Sequence, residues 1–124
     1  MSKALLVVAH GSRREASNDE VRALSEVIAQ KAGGEYDMVR AAFLELAEPL
    51  IPDGIEQCIR DGADEVVVMP YFLSAGRHVA TDIPEEVAPK QAQYPDKKIR
   101  IAPYLGAAEG IADLMLSMSQ RESG

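Results

Sequence analysis

Residues 4–9, Ala-Leu-Leu-Val-Val-Ala, are apolar at six consecutive positions. A strand without polar alternation has no face to offer water, so it belongs inside a sheet covered on both sides. Three more strand segments follow: Asp37–Leu44, Glu65–Tyr71 (the strongest) and Lys98–Pro103. Helical patterns separate them. Val21, Leu24, Val27 and Ile28 recur at helical spacing and Gly33-Gly34 ends that segment; its start is either the capping-box spacing at Ser17–Glu20 or a turn earlier, near Arg14. Pro52 opens a second helix through Ile55, Cys58 and Ile59, stopped at Gly62. A third runs from Thr81 to about Gln93, broken or shifted by Pro84 and Pro89. Ile111, Leu114, Met115 and Met118 mark a closing amphipathic helix, with Ser119–Gly124 expected to fray. Four βα units with short, right-handed connections predict an α/β fold: a three-layer αβα, flavodoxin-like domain over residues 1–124, with a four-stranded parallel sheet and helices on both faces. A chain of 124 residues has the length for one core.

Charge and composition exclude several functions. The formal net charge of -7 speaks against nucleic acid and against an anionic membrane surface. No apolar run approaches the length that spans a bilayer. The first apolar run is short and meets His-Gly-Ser-Arg-Arg at once, unlike a secretory signal. A single cysteine rules out a disulfide framework, a Cys-only zinc site and a four-thiolate iron–sulfur cluster. Cys58 reads as a core residue, and the expectation is a soluble cytoplasmic protein.

Open parallel sheets bind ligands outside the carboxyl ends of their strands. His10 follows the first strand, Glu45 the second, and His78 lies a short loop after the third. Spaced about one βα unit apart, the three should line one rim. If the first strand lies between the second and third, neighbouring strand ends are only ~5 Å apart. The chain has two histidines, both on this rim. Neutral imidazole binds borderline divalent metals, and its unperturbed pKa of ~6.5 suits a proton acceptor near neutrality. Glu45 reads as a third ligand, a proton relay, a partner orienting a histidine, or simply a solvent-facing strand end.

Two loops complete the rim. Gly11-Ser12-Arg13-Arg14 leads into a helix and offers backbone N–H groups and guanidinium to an anion, or else is a capped helix start with solvated arginines. It is not a Walker loop, because Gly-x4-Gly-Lys-Ser/Thr is missing. Nor is it a histidine phosphatase loop, because Ala9 stands where that motif needs arginine. The segment Pro70–His78 carries Tyr71, Phe72, Leu73, Ser74, Gly76 and Arg77. It offers an apolar wall and a cation to a flat, carboxylated ligand, or places its aromatics in the core.

Three spaced motifs together resemble the small, CbiX-type sirohydrochlorin chelatases, of the ATP-independent class that includes cobaltochelatases and ferrochelatases. They are His10-Gly11-Ser12-Arg13, Phe43-Leu44-Glu45 followed by Pro49, and Pro70-x-Phe72-Leu73-x-x-Gly76-x-His78 followed by Asp82-Ile83-Pro84. The resemblance covers nearly the whole chain. It implies a chelatase-type fold and insertion of Co2+ or Fe2+, or Ni2+, into sirohydrochlorin in tetrapyrrole biosynthesis, with no nucleotide. His10 and His78 match the histidines that hold the metal and accept pyrrole protons, and Glu45 matches the acidic position. Ser12, Arg13, Phe72, Leu73, Ser74, Gly76 and Arg77 would contact the macrocycle or its carboxylates. One short domain supplies one wall for such a ligand, so a homodimer is expected. The competing expectations are a non-catalytic cobalt, nickel or tetrapyrrole carrier, and a flavodoxin-like interaction domain without small-molecule activity.

Overall fold

Strand β1 (Lys3–Ala9) is buried at six of its seven positions because it pairs in parallel on both edges, with β2 (Met38–Phe43) and with β3 (Glu65–Pro70). β4 (Lys98–Ile101) adds in parallel to β3, giving the order β2-β1-β3-β4. This is a computed structural model and describes residues 2–122. Between the strands run α1 (Glu15–Lys31), α2 (Ile51–Arg60) and α3 (Ile83–Gln93), and α4 (Ile111–Ser119) follows β4. The conditional placement of the first strand between the second and third is therefore the actual one.

The pleat sorts β1 into two cores. Ala4, Leu6 and Val8 face the layer containing Ile51, Ile55 and Cys58 of α2 and Ile83 and Val87 of α3. Leu5, Val7 and Ala9 face the other side with Val21 of α1, Phe43 and Val67. Helix α2 meets the sheet because Ile51, Ile55 and Cys58 fall at i, i+4 and i+7, on one stripe. Cys58 is in the core, as expected, and burial pushes its thiol pKa up.

Several boundaries differ from expectation, each for a local reason. Helix α1 starts at Glu15, the earlier of the two expected starts, so the Ser17–Glu20 spacing is not its cap. Asn18 is instead buried and turned to a loop. The third helical segment opens with a π-helical turn, His78–Asp82, before α3 proper. Pro84 sits in the first turn of α3, where a backbone N–H has no intrahelical partner to lose. Strands β2, β3 and β4 end at Phe43, Pro70 and Ile101, slightly before the expected limits. Helix α4 forms but buries none of its nine residues, so it does not close the fold as an amphipathic layer. Ser119 still belongs to α4, and the expected fraying at Ser123 and Gly124 falls outside the described residues.

Helices α2 and α3 are joined by a polar cluster on Glu56. Its carboxylate accepts from Lys90 Nζ at 2.9 Å, from the Tyr94 hydroxyl at 2.6 Å and from Arg60 Nε at 2.7 Å. The Lys90 bond, then those from Tyr94 and Arg60, hold the Glu56 pKa at about 2, against an ordinary 4.5. The folded protein thus binds this proton less readily than the unfolded chain. The resulting stabilisation is complete above the ordinary value and disappears as pH falls from 4.5 to about 2. Glu56→Gln should lower the melting temperature at neutral pH, with the gap from the parent closing toward pH 2, as read by circular dichroism melts across that range.

Candidate active site

The rim begins where β1 and β2 run out, and their pairing continues into the loops. Leu44 N–H donates to Ala9 O at 3.0 Å, and Glu45 N–H donates to His10 O at 3.1 Å. Gly11 follows with φ +95°, and a Cβ on it would lie 1.7 Å from the Glu45 carbonyl oxygen. Only glycine fits, both for its φ and for the approach of the two loops. Leu46, with φ 67°, then turns the chain away from Glu45. His10 and Glu45 are therefore held as neighbours by main-chain contacts.

Asn18 organises the rest of the first loop. Its side-chain oxygen accepts from Ser12 N–H at 2.9 Å, and its Nδ2 donates to Ser12 O at 2.8 Å. Ser12 Oγ accepts from Arg14 N–H at 3.0 Å. Ser12 is thus built into the loop, while Arg13 beside it is exposed.

The third-strand loop brings His78 onto His10. Their ring centroids lie 4.7 Å apart with planes inclined at 60°. His10 Nδ1 is 2.9 Å from Gly11 O, and His78 Nδ1 is 2.7 Å from Asp82 Oδ2. A carbonyl and a carboxylate only accept, so both Nδ1 atoms are assigned the proton. In the neutral form each ring then has its lone pair on Nε2. Asp82 is one turn beyond His78, at i+4, so the π-helical turn that places the ring also places its partner.

Glu45 and His78 line a common hollow of about 150 Å³ with Leu44, Asp82, Glu85 and Glu86. All three rim residues read from the sequence are therefore brought together, through His78 as the shared member. The Phe72 ring lies 6.3 Å from that of His78 and packs on the core from its half-buried position. Leu73 is 73% exposed, and Ser74 and Gly76 are exposed beside it. Arg77 is exposed and only loosely paired, 3.9 Å from Asp82. Tyr71 is also exposed and lines a groove on the α1 side of the sheet.

Sequence reasoning placed Asp82 in a motif but missed it as a histidine partner, and missed Glu85 and Glu86. The i, i+4 spacing from His78 to Asp82 was the available signal. Among the described residues no three His, Cys, Asp or Glu side chains are arranged to hold a metal ion together. Two imidazoles with an open side suit a site that exchanges its occupant rather than a structural cage.

A parallel α/β domain with two adjoining imidazoles at its switch-point rim has the layout of a small-molecule-binding α/β protein. A profile of the CbiX family matches residues 4–122. The chain belongs to the CbiX family. It is 37% identical over 111 residues to the chloroplastic sirohydrochlorin ferrochelatase of Arabidopsis thaliana, covering 90% of this chain and 48% of that one. It is 42% identical over 83 residues to the sirohydrochlorin cobaltochelatase of Methanococcus maripaludis, covering 67% of this chain and 56% of the relative. The sirohydrochlorin chelatase SirB from Bacillus subtilis subspecies spizizenii, solved in complex with cobalt, superposes with a TM-score of 0.84 at 32% identity. That match covers 100% of this chain and 56% of SirB. The chain spans about half the length of these relatives.

Gly11→Ala should separate the two loops. The backbone strain alone costs about 1–3 kcal/mol, and the clash with Glu45 adds to it. A lowered melting temperature, read by circular dichroism, is the expected result.

Proposed function

We propose that this chain inserts a divalent metal, Co2+ or Fe2+, into a sirohydrochlorin-type tetrapyrrole without using a nucleotide. The observation that carries the reading is the pair of imidazoles, 4.7 Å apart, each with Nδ1 tied back and Nε2 left open. The names of the relatives, a ferrochelatase and a cobaltochelatase, support it. Metallation exchanges two pyrrole protons for one M2+, so the site needs neutral bases and exchangeable ligands in one place. His10 and His78 supply both. Glu45, sharing the hollow with His78, is the acceptor from which protons pass to solvent, beside Asp82, Glu85 and Glu86.

The macrocycle does not fit inside a hollow of about 150 Å³ and must lie over the rim. Phe72, Leu73, Ser74 and Gly76 are its apolar wall, and Arg13 and Arg77, both exposed, meet its carboxylates. Ser12 contributes by holding that loop through Asn18 and Arg14. A site that seats the ring bent toward its metallated shape lowers the barrier further. The open face calls for a second wall, which a second copy supplies in a homodimer; relatives about twice as long support that reading. Among the described residues no helix is long and apolar enough to cross a membrane. A cytoplasmic setting is part of this reading, supported by a lone, buried thiol.

The test mixes metal-free sirohydrochlorin, Co2+ or Fe2+ and protein and follows the absorbance change against the uncatalysed rate. Acceleration is expected, with His10→Ala and His78→Ala each losing about 10²–10⁴-fold while remaining folded. Stoichiometric metal binding without acceleration would instead make the chain a carrier. Asp82→Ala should weaken Co2+ binding about 10–100-fold, the usual consequence of losing a histidine's orienting partner. Asp82→Asn, which still accepts from Nδ1–H, should recover part of it.

A further inference from the structure

Helix α1 buries Asn18, Val21 and Ser25, a spacing of i, i+3 and i+7 that forms one inward stripe. Asn18, 1% exposed, thus stands where an apolar side chain ordinarily packs. A carboxamide is tolerated there only when its donor and its acceptor are both met. One residue of the first rim loop meets both: Oδ1 accepts from Ser12 N–H at 2.9 Å, and Nδ2 donates to Ser12 O at 2.8 Å. The two bonds also fix which way round the amide lies, because a donor faces Oδ1 and an acceptor faces Nδ2. Glu15 Oε2, 3.5 Å from Nδ2, is at the limit of a hydrogen bond and adds little.

We propose that Asn18 is a positioning residue for His10, acting through the peptide that joins Gly11 to Ser12. The two polar ends of that peptide have different partners. Its N–H, on Ser12, is held by Asn18, and its carbonyl, Gly11 O, accepts from His10 Nδ1. Both ends lie in one rigid plane and point in opposite directions, so clamping the N–H aims the carbonyl. The clamp matters here because Gly11, with φ +95° and no side chain, is a backbone position at which a peptide plane turns over readily. The close approach to the Glu45 carbonyl demands that glycine, and Asn18 restores the order it removes. A turned plane would take the carbonyl from the ring and with it the acceptor that assigns the proton to Nδ1. A proton on Nε2 would then occupy the nitrogen that has to face the metal. The inference rests on the reading of His10 as ligand and base, and adds a buried residue that acts only through the main chain.

His78 is oriented by other means. Its Nδ1 partner is a side chain, Asp82, carried on the same π-helical turn. Loss of Asn18 therefore reaches one ring and leaves the other. Asparagine is also the residue type this position requires, since it sets one acceptor beside one donor. An aspartate keeps the acceptor for Ser12 N–H but brings a second oxygen against Ser12 O with no hydrogen between them. It preserves the aim of the peptide and lowers stability, whereas an alanine loses both bonds.

The test is nitrogen-15 NMR of the imidazole rings in the full, metal-free chain, at a pH where both are neutral. The chain has two histidines, so each ring can be followed separately. In the parent both should carry the proton on Nδ1. Asn18→Ala should shift the tautomer ratio of His10 toward Nε2–H by about 10-fold, the equivalent of one net hydrogen bond, with His78 unmoved. Asn18→Asp should hold the parent ratio at His10 although its melting temperature falls. A parent measurement covers the case in which the alanine variant does not fold. The Ser12 amide should exchange with solvent about 10-fold more slowly than the Arg13 amide once intrinsic rates are allowed for. An alanine variant with the parent ratio at His10, equal shifts at both rings, an aspartate variant that behaves like alanine, or a Ser12 amide that exchanges as fast as its neighbour would each overturn the proposal. None of these readouts involves metal or tetrapyrrole, so failure here and failure of the chelatase reading are told apart.

Discussion

Everything at the rim depends on the double pairing of β1. Because β1 lies between β2 and β3, with all three parallel, their carboxyl ends emerge side by side. The ladder extends one residue past β1 and two past β2 through the Glu45–His10 main-chain bond, and Gly11 lets the chain pass against the Glu45 carbonyl. The positions of His10 and Glu45 are therefore backbone properties. They do not rely on side-chain packing, which suits a site open to a large ligand. His78 comes from farther along, carried by a loop and a π-helical turn, and is correspondingly more exposed.

The chemistry of the site follows from how its two rings are tied. Each Nδ1 is spent on an acceptor, one a carbonyl from the neighbouring residue and one a carboxylate a turn away. That leaves one ring nitrogen on each of two adjoining imidazoles, and among the described residues no third or fourth side chain joins them around a metal ion. A fuller ligand set would bind metal more tightly and release it more slowly. Under the chelatase proposal, two such donors beside an acidic hollow would let the ion pass on, with Asp82, Glu85 and Glu86 lining that hollow.

The stability of the domain is unevenly divided between its two faces. The α2–α3 side has a large apolar cluster and the Glu56 network that ties the two helices together. The α1 side has a smaller one, with a groove beside it and a helix that buries nothing. The groove, the 3-10 turn Leu105–Ala107 and the Phe72 loop are contiguous, joined through Tyr71, Leu105 and the Gly106–Phe72 main-chain bond.

Much of this was legible without coordinates. Uninterrupted apolar runs mark interior strands, helical spacing marks the stripes of α1 and α2, and the βα repeat sets parallel strands and a common rim, because these signals are local and periodic. The two histidines and Glu45 could be assigned to that rim on the same grounds. Where helix starts were ambiguous, as at Ser17 and Thr81, the choice turned on the Asn18–Ser12 bonds and on the π-helical turn, which no propensity encodes. Sequence alone determined the fold class, the layer structure and the edge on which the reactive side chains stand. Tertiary structure alone decided the strand order, the distance between the two rings, the pairing of His78 with Asp82 and the failure of α4 to find a seat. Those features join segments far apart in the chain, and the contact between such segments is a property of the folded surface that no periodicity records.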